Sequence, residues 1–233
     1  MDTKKIETLR KLMDSSKIVD LSHTLELGIP AWPTQARYGS VVYESYDYGD
    51  PALHSAITFS EHTGTHIDAP RHFFKDGVSV DLLPVGTVFG RAVLIEAQHI
   101  APKEAYGIDD FSSFEETNGA IQKGDIVFFH FGWDAKWAVQ PNCSSYLKDW
   151  PGVSREVAEQ LLSRGVSAVG CDALSLDPYG APNHCHHVLL GNNVPIIENL
   201  ANLEQLPVFS FVIGLPNKFK DGSGSPLRII ALT

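Results

Sequence analysis

Four side chains suited to holding a metal stand within eleven residues: His62, His66, Asp68 and His72, in the stretch EHTGTHIDAPRHFF from Glu61 to Phe74. Imidazole nitrogen and carboxylate oxygen together suit Zn²⁺ or Mn²⁺, and the two oxygens of Asp68 can bridge two ions. The even numbering of all four constrains the backbone. On a helix at about 100° per residue, Asp68 and His72 fall about 240° and 280° around from His62, which scatters the set. On a strand all four point one way, with β-branched Thr63, Thr65 and Ile67 opposite. Full extension, however, would leave the Cα atoms of His62 and His66 roughly 13 Å apart, too far to share one ion. The chain must therefore curl, and Gly64 is the residue able to take the unusual φ/ψ this needs. Pro70 then prevents a regular helix from running through the site. A curled strand end or loop presenting inward-facing ligands is predicted.

Residues 183–198, NHCHHVLLGNNVPIIE, hold a second group of the same chemistry: His184, His186, His187 and Glu198. A centre with two ions needs more ligands than the first cluster supplies. Neighbouring positions on a short helix face about 100° apart, so the three histidines compete and spacing leaves the choice open.

Short runs of β-branched and aromatic residues, separated by Gly, Pro and Asp clusters, predict the elements that must position these ligands. Strands are expected at 18–21, 41–46, 57–60, 92–96, 125–131, 166–170, 194–197, 208–213 and 227–231. Helices are expected in the N-terminal segment and at 109–117, 154–164 and 183–190. For 154–164, Ser154 is the N-cap, Val157, Leu161 and Leu162 form the apolar stripe, and Gly165 stands where a left-handed C-terminal residue is wanted. Many strands with isolated helices give an α/β class with a mixed sheet. No repeat, low-complexity tract or composition break divides the 233 residues, so 1–233 is read as a single domain.

Acidic residues outnumber basic ones by 28 to 18, a formal net charge of −10, and no Lys/Arg cluster offsets the excess. Neither nucleic acid nor a membrane surface is an expected partner. The opening MDTKKIETLRKLMDSSK sets Ile6, Leu9, Leu12 and Met13 at amphipathic-helix spacing and lacks a signal-peptide core, and no run approaches a membrane span. Three cysteines, Cys143, Cys171 and Cys185, are an odd number and too sparse for a disulfide framework, so a reducing, cytoplasmic setting is expected. Small-molecule chemistry remains.

HTGTHIDAPRHF resembles the HxGTHxDxPxHF signature of the cyclase family of metal-dependent hydrolases, which includes bacterial-type kynurenine formamidases and is related to isatin hydrolase. VDLSHTLELGIPAWP is similar to the family's opening strand and Pro-Trp-Pro segment, KGDIVFFHFGW to its central strand, and VPIIENLANL with GSGSPLRIIAL to its C-terminal part, so the resemblance covers nearly the whole chain. It implies the family's swivelling β/β/α architecture with a mixed sheet and inserted β-hairpins, and a homodimer or larger homo-oligomer. Family members place a metal-binding His twelve positions before a bridging Glu, which selects His186 ahead of Glu198. By the same resemblance His62, His66 and Asp68 hold one ion, Asp68, His186 and Glu198 hold a second, and one or two ions of Zn or Mn are expected per subunit. His72 is left as the proton-transfer residue, since a neutral imidazole takes and returns protons near neutral pH.

Trp32 matches the position where the formamidases set an aromatic residue against the substrate ring. The family segment usually continues Gly-Asp after the proline, whereas Thr34 and Gln35 follow Pro33 here. Trp133, just beyond the central strand, is a second candidate wall of the substrate site, with Trp137 at helical spacing from it. Asp172 and Asp177 are read as hydrogen-bonding residues in a turn, and His23, His54, His99 and His130 as structural histidines. The implied activity is hydrolysis of the C–N bond of a small aryl formamide or cyclic amide, N-formylkynurenine-like or isatin-like, with metal-activated hydroxide as nucleophile. The competing readings are a metal-dependent cyclase or lyase and a metal-stabilised binding protein without activity.

Overall fold

The β-branched and aromatic runs do form strands, and the sheet they build closes on itself. The computed structural model describes residues 2–233. In chain order the elements are α1 (Thr3–Ser15), β1 (Ile18–Asp20), β2 (Gly39–Glu44), β3 (His54–Thr58), β4 (His66–Asp68), β5 (Phe89–Glu96), β6 (Ala105–Tyr106), α2 (Ile108–Asn118), β7 (Ile126–His130), β8 (Gly152–Val153), α3 (Arg155–Arg164), β9 (Ala168–Cys171), α4 (His184–Leu190), β10 (Ile196–Glu198), β11 (Phe209–Pro216) and β12 (Gly224–Leu232). The main sheet runs β1-β12-β11-β5-β7-β9-β10-β4, and β4 pairs back onto β12 to give a barrel-like ring. β5, β7, β9 and β10 run parallel to their neighbours in that order, and the remaining pairs are antiparallel. The expected mixed α/β architecture is present.

Side-chain alternation along the central strands builds two cores. Ile126 and Phe128 of β7 pack inside the ring with Ile67, Leu94, Ile197 and Ile229. Val127 and Phe129 point the other way, onto Phe111 of α2, Val157 and Leu161 of α3, and Leu189 of α4. Both faces of β7 are therefore covered, and all five of its residues are buried. Each large aliphatic or aromatic side chain so buried contributes about 1.5–3 kcal/mol.

The caps of α3 follow the sequence: Ser154 Oγ accepts from the backbone N–H of Val157, and Gly165 takes a left-handed φ of +74°. The two-residue pairing of β6 with β8 has no signal in local sequence. Two elements stand apart from the cores. α1 forms as expected yet buries none of its residues. β2 and β3 pair only with each other, leaving Val41, Tyr43, Tyr46, Tyr48, Leu53 and Ile57 exposed. Among the described residues no helix is long and apolar enough to cross a membrane.

Candidate metal centre and its cavity

The curl predicted around Gly64 is present and is held by residues far away in sequence. Gly64 has φ +63°, and a Cβ added there would collide with the Leu25 side chain. Its carbonyl accepts from Asn199 Nδ2 at 2.8 Å, while Thr65 Oγ1 donates to Asn199 O at 2.6 Å. After this turn only three residues are strand. β4 lies between β10 and β12, with Ile67 opposite both Ile197 and Ser225. Ile67 enters the inner core, so His66 and Asp68 must face away from it. Pro70 opens a single 3-10 turn, Pro70–His72, which folds His72 back until its ring centroid is 4.0 Å from that of His62.

The β10–β4 register sets Glu198 directly opposite His66, and α4 supplies His186. His186 is buried at 4% exposure, whereas His184 and His187 are exposed on the outer side of the helix, so of the three only His186 meets the buried carboxylates. His66 Nε2 lies 3.3 Å from Asp68 Oδ1 and 3.5 Å from Glu198 Oε2. His186 Nε2 lies 3.4 Å from Asp68 Oδ2 and 3.3 Å from Glu198 Oε1. Each carboxylate thus spans the two imidazoles, one oxygen toward each. His62 Nδ1 reaches Asp68 Oδ1 at 2.6 Å.

The ring nitrogens facing the other way are committed as donors. His66 Nδ1–H donates to Gly64 O at 2.9 Å, and His186 Nδ1–H donates to Asp177 Oδ2 at 2.5 Å. His62 Nε2–H donates to Ser223 Oγ at 2.9 Å, and that hydroxyl donates onward to Glu61 Oε2 at 2.5 Å. Three imidazole lone pairs consequently converge on two buried carboxylates, an arrangement that only a cation or protons can neutralise. Burial alone would lower the pKa of His186, but Asp177, Asp68 and Glu198 hold it well above 6.5. Burial likewise opposes ionisation of Asp68, which His186, His62 and His66 nevertheless hold well below the usual carboxylate range. This donor set of three imidazoles and two carboxylates fits a divalent ion.

His72 differs from these. Burial pushes it down to about 4, only partly offset by Asp68, with His62, His186 and His66 lowering it further. His62, His66, Asp68, His72, His186 and Glu198 line a cavity of about 330 Å³ together with Trp32, Thr34, Gln35, Phe73, Leu174, Ser175 and Asn183. Trp32 lines this cavity, 41% exposed and edge-on to Trp150 at 6.0 Å. Trp133 does not. Its indole is 5% exposed in the outer core, with Nε1 donating to Tyr146 O at 3.0 Å, so its role is packing, and its assignment to the substrate wall is corrected. The chain turns there because Asp172 accepts from the N–H groups of Phe131 and Trp133 at 2.9 and 2.6 Å.

A second group, His130, Asp134 and Asp172, also brings potential ligand atoms together. Each has a structural partner: His130 pairs with Glu96 at 2.9 Å, Asp134 accepts from Asn202 N at 3.0 Å, and Asp172 holds the turn. His23 stacks on Trp137 at 3.8 Å while its Nε2 is buried without a partner. Asn199, Ser223 and Glu61 support the turn at Gly64 and the ring of His62 without any local motif that marks them, because their partners lie as far as 162 residues away.

Comparison with known proteins agrees with this geometry. Residues 19–178, more than half of the chain, match the Cyclase family model, described as "Putative cyclase". The kynurenine formamidase of Erythrobacter litoralis (strain HTCC2594) is 29% identical over 216 residues, covering 92% of this chain and 93% of that protein. That of Bacillus cereus (strain ATCC 14579) is 28% identical over 224 residues, covering 94% and 98%. Isatin hydrolase A from Labrenzia aggregata, solved bound to benzyl benzoate, superposes with a TM-score of 0.89 at 29% identity over 98% of this chain and 99% of its own. An isatin hydrolase bound to the product analogue thioisatinate gives a TM-score of 0.91 at 25% identity over 100% and 99%. With the motif, the converging ligands and the whole-chain superposition in agreement, the chain belongs to the cyclase family and is a metal-dependent hydrolase.

Proposed function

We propose that this chain, acting as one cyclase-family domain, hydrolyses the C–N bond of a small aryl amide, either an N-formyl anilide such as N-formylkynurenine or a lactam such as isatin. The observation that carries this reading is the pair Asp68 and Glu198, each spanning His66 and His186 at the floor of a cavity with Trp32 in its wall. The names of the matching relatives, kynurenine formamidase and isatin hydrolase, point to the same bond. His62, His66, Asp68, His186 and Glu198 would hold one or two ions of Zn²⁺ or Mn²⁺. A divalent ion supplies a lowered pKa for water and a polarised carbonyl.

The chain's own residues do the rest. His72 is neutral at pH 7, so its imidazole takes a proton from the attacking water and returns it to the leaving nitrogen. Phe73 and Leu174 supply apolar wall, and Trp32 supplies a flat face for an aromatic ring. Self-association of the chain is supported by the exposed apolar residues of the β2–β3 hairpin and of α1, since an isolated two-stranded ribbon is marginal in water. A reducing, cytoplasmic setting is supported by the three free, buried cysteines. The test is turnover of N-formylkynurenine and of isatin by chelator-treated protein resupplied with Zn²⁺ or Mn²⁺. Metal-dependent hydrolysis of one of them is expected, and tight metal binding without turnover of either would overturn the proposal.

A further inference from the structure

The antiparallel side of the ring has an apolar outside that no helix covers. Strands β1, β12, β11 and β5 turn Val19, Ile229, Val212 and Ala92 into the inner core, so the residues that alternate with these face outward. The register aligns Ile18, Leu232 and Phe211 in one outward row and Ile230, Ile213 and Phe89 in the next. Phe89 and Phe211 meet edge to face at 5.2 Å. Helices α2, α3 and α4 pack on the outer side of β7, whereas Ile18, Phe89, Phe209, Phe211 and Leu215 are exposed here. Arg228, Asp20 and Arg91 of the same face are already paired, Arg228 with Asp20 and Arg91 with Asp125, each at 2.6 Å. A contiguous apolar patch without an unpaired charge is the mark of a contact surface.

α1 is the other bare apolar surface, and it grows out of the border of this one. Asp2 caps it, Oδ1 accepting from Lys5 N at 2.9 Å. Ile6, Leu9, Leu12 and Met13 are all exposed and fall within about 120° of the helix circumference. A helix of 13 residues is marginal in water unless such a stripe is packed. It is not packed within its own chain: α1 buries none of its residues. Its exit is also fixed, since Lys17 and Thr233 exchange backbone hydrogen bonds at 2.9 and 3.0 Å, leaving Ser16 alone between this clamp and the helix. Charge favours the acidic body of another copy. Lys4, Lys5, Arg10 and Lys11 against Glu7 and Asp14 give α1 a charge of +2 within a chain of −10, so the remainder carries −12.

We infer that α1 of one copy lies across the outer face of β1, β12, β11 and β5 of a second copy, and that the contact is made twice about a two-fold axis. The dimensions agree. The helix is about 20 Å long, and four strands at about 4.8 Å spacing span about 14 Å. The four apolar side chains of α1 and the five of the face, at about 100 Å² each, bury about 900 Å² per copy and about 1,800 Å² per pair, within the range of stable interfaces. Because α1 leaves the chain beside Ile18, itself part of the face, helix and face form one self-complementary surface. The contact rests on the self-association read above and specifies its two faces; the hydrolase reading does not depend on it.

Light scattering on size-exclusion eluates of the full-length protein reads the mass. Wild type is expected at about 51 kDa, twice the 25.5 kDa of one chain. Leu9→Glu and Phe211→Glu change exposed side chains on the two opposing faces, and each should weaken the dimer by about 100-fold or more with an unchanged circular dichroism spectrum. Cross-linking reads the pairing itself, since Cys143, Cys171 and Cys185 are buried. A Leu9→Cys chain mixed with a Phe211→Cys chain should be joined by a short bis-maleimide, and a chain with both substitutions should be joined to a second chain. A link confined within one chain puts α1 on its own sheet and overturns the inference. A monomeric wild type overturns it together with self-association, and a monomer that co-sediments with phosphatidylserine vesicles gives α1 to a lipid surface instead. A dimer that survives both Glu substitutions overturns this contact alone and moves the interface elsewhere, the β2–β3 hairpin first.

Discussion

Asp177 grips His186 at two points: its Oδ2 accepts from the ring Nδ1 at 2.5 Å and from the backbone N–H of the same residue at 3.3 Å. Its other oxygen takes the N–H of Cys185 at 2.8 Å. One carboxylate therefore both caps the first turn of α4 and fixes which ring nitrogen of His186 faces Asp68 and Glu198. A carboxylate behind a metal-facing histidine sets its tautomer and raises its basicity.

Replacing that carboxylate by an amide tests the arrangement. Asp177→Asn supplies only one acceptor where three N–H groups converge, and affinity for Zn²⁺ or Mn²⁺ should fall by about 10- to 100-fold, read by competition with a chromophoric chelator. The lost helix cap should also cost about 1 kcal/mol of stability. Wild-type metal affinity in Asp177→Asn would show that His186 is oriented without it.

His72 and His66 should separate cleanly. His66 sits 3.3 Å from Asp68 and 3.5 Å from Glu198, so His66→Ala is expected to lose metal and turnover together. His72→Ala should keep its metal while turnover drops by about 10²- to 10⁴-fold, the usual worth of a general acid–base group. Metal content by plasma emission beside the rate assay gives both readings. Full activity in His72→Ala would remove the proton-transfer role.

The two tryptophans singled out in the sequence should behave as opposites. Trp133→Ala empties a packed site and should cost about 3–5 kcal/mol in a denaturant melt. Trp32→Ala, at the half-open rim, should change stability by about 1 kcal/mol or less while raising KM several-fold through the lost ring contact. A Trp32 variant with unchanged KM would place the substrate ring elsewhere.

His23 gives stability a pH dependence. Burial lowers its pKa from 6.5 to about 4, so the folded chain keeps it neutral where the unfolded chain is already protonated. Its contribution is full above about pH 6.5 and is lost as pH falls toward 4, by about 1–3 kcal/mol. His23→Phe keeps a ring for Trp137 to stack on and has nothing to titrate. The stability of wild type relative to this variant, followed by urea melts from pH 7.5 to 4, should fall in that direction. A difference independent of pH would contradict it.

Local sequence carried the first half of the centre because its ligands are local. Even spacing from His62 to His72, a glycine at the one position that must curl and a proline that ends the strand are physical requirements met within eleven residues. The caps of α3 were legible for the same reason, each depending on neighbours three or four residues away. Resemblance to the cyclase signature supplied His186 and Glu198 where spacing alone left three histidines in competition. Tertiary structure decided what no local pattern encodes. The insertion of β4 between β10 and β12 sets Glu198 opposite His66, and burial of one face of α4 chooses His186. Asn199, Ser223 and Asp177 became supports of the site through contacts made only once the ring of strands had closed. Trp133 and Trp32 have the same side chain and comparable motif positions; which of them meets the cavity was fixed by the packing of the outer core, a property of the assembled layers and not of either segment.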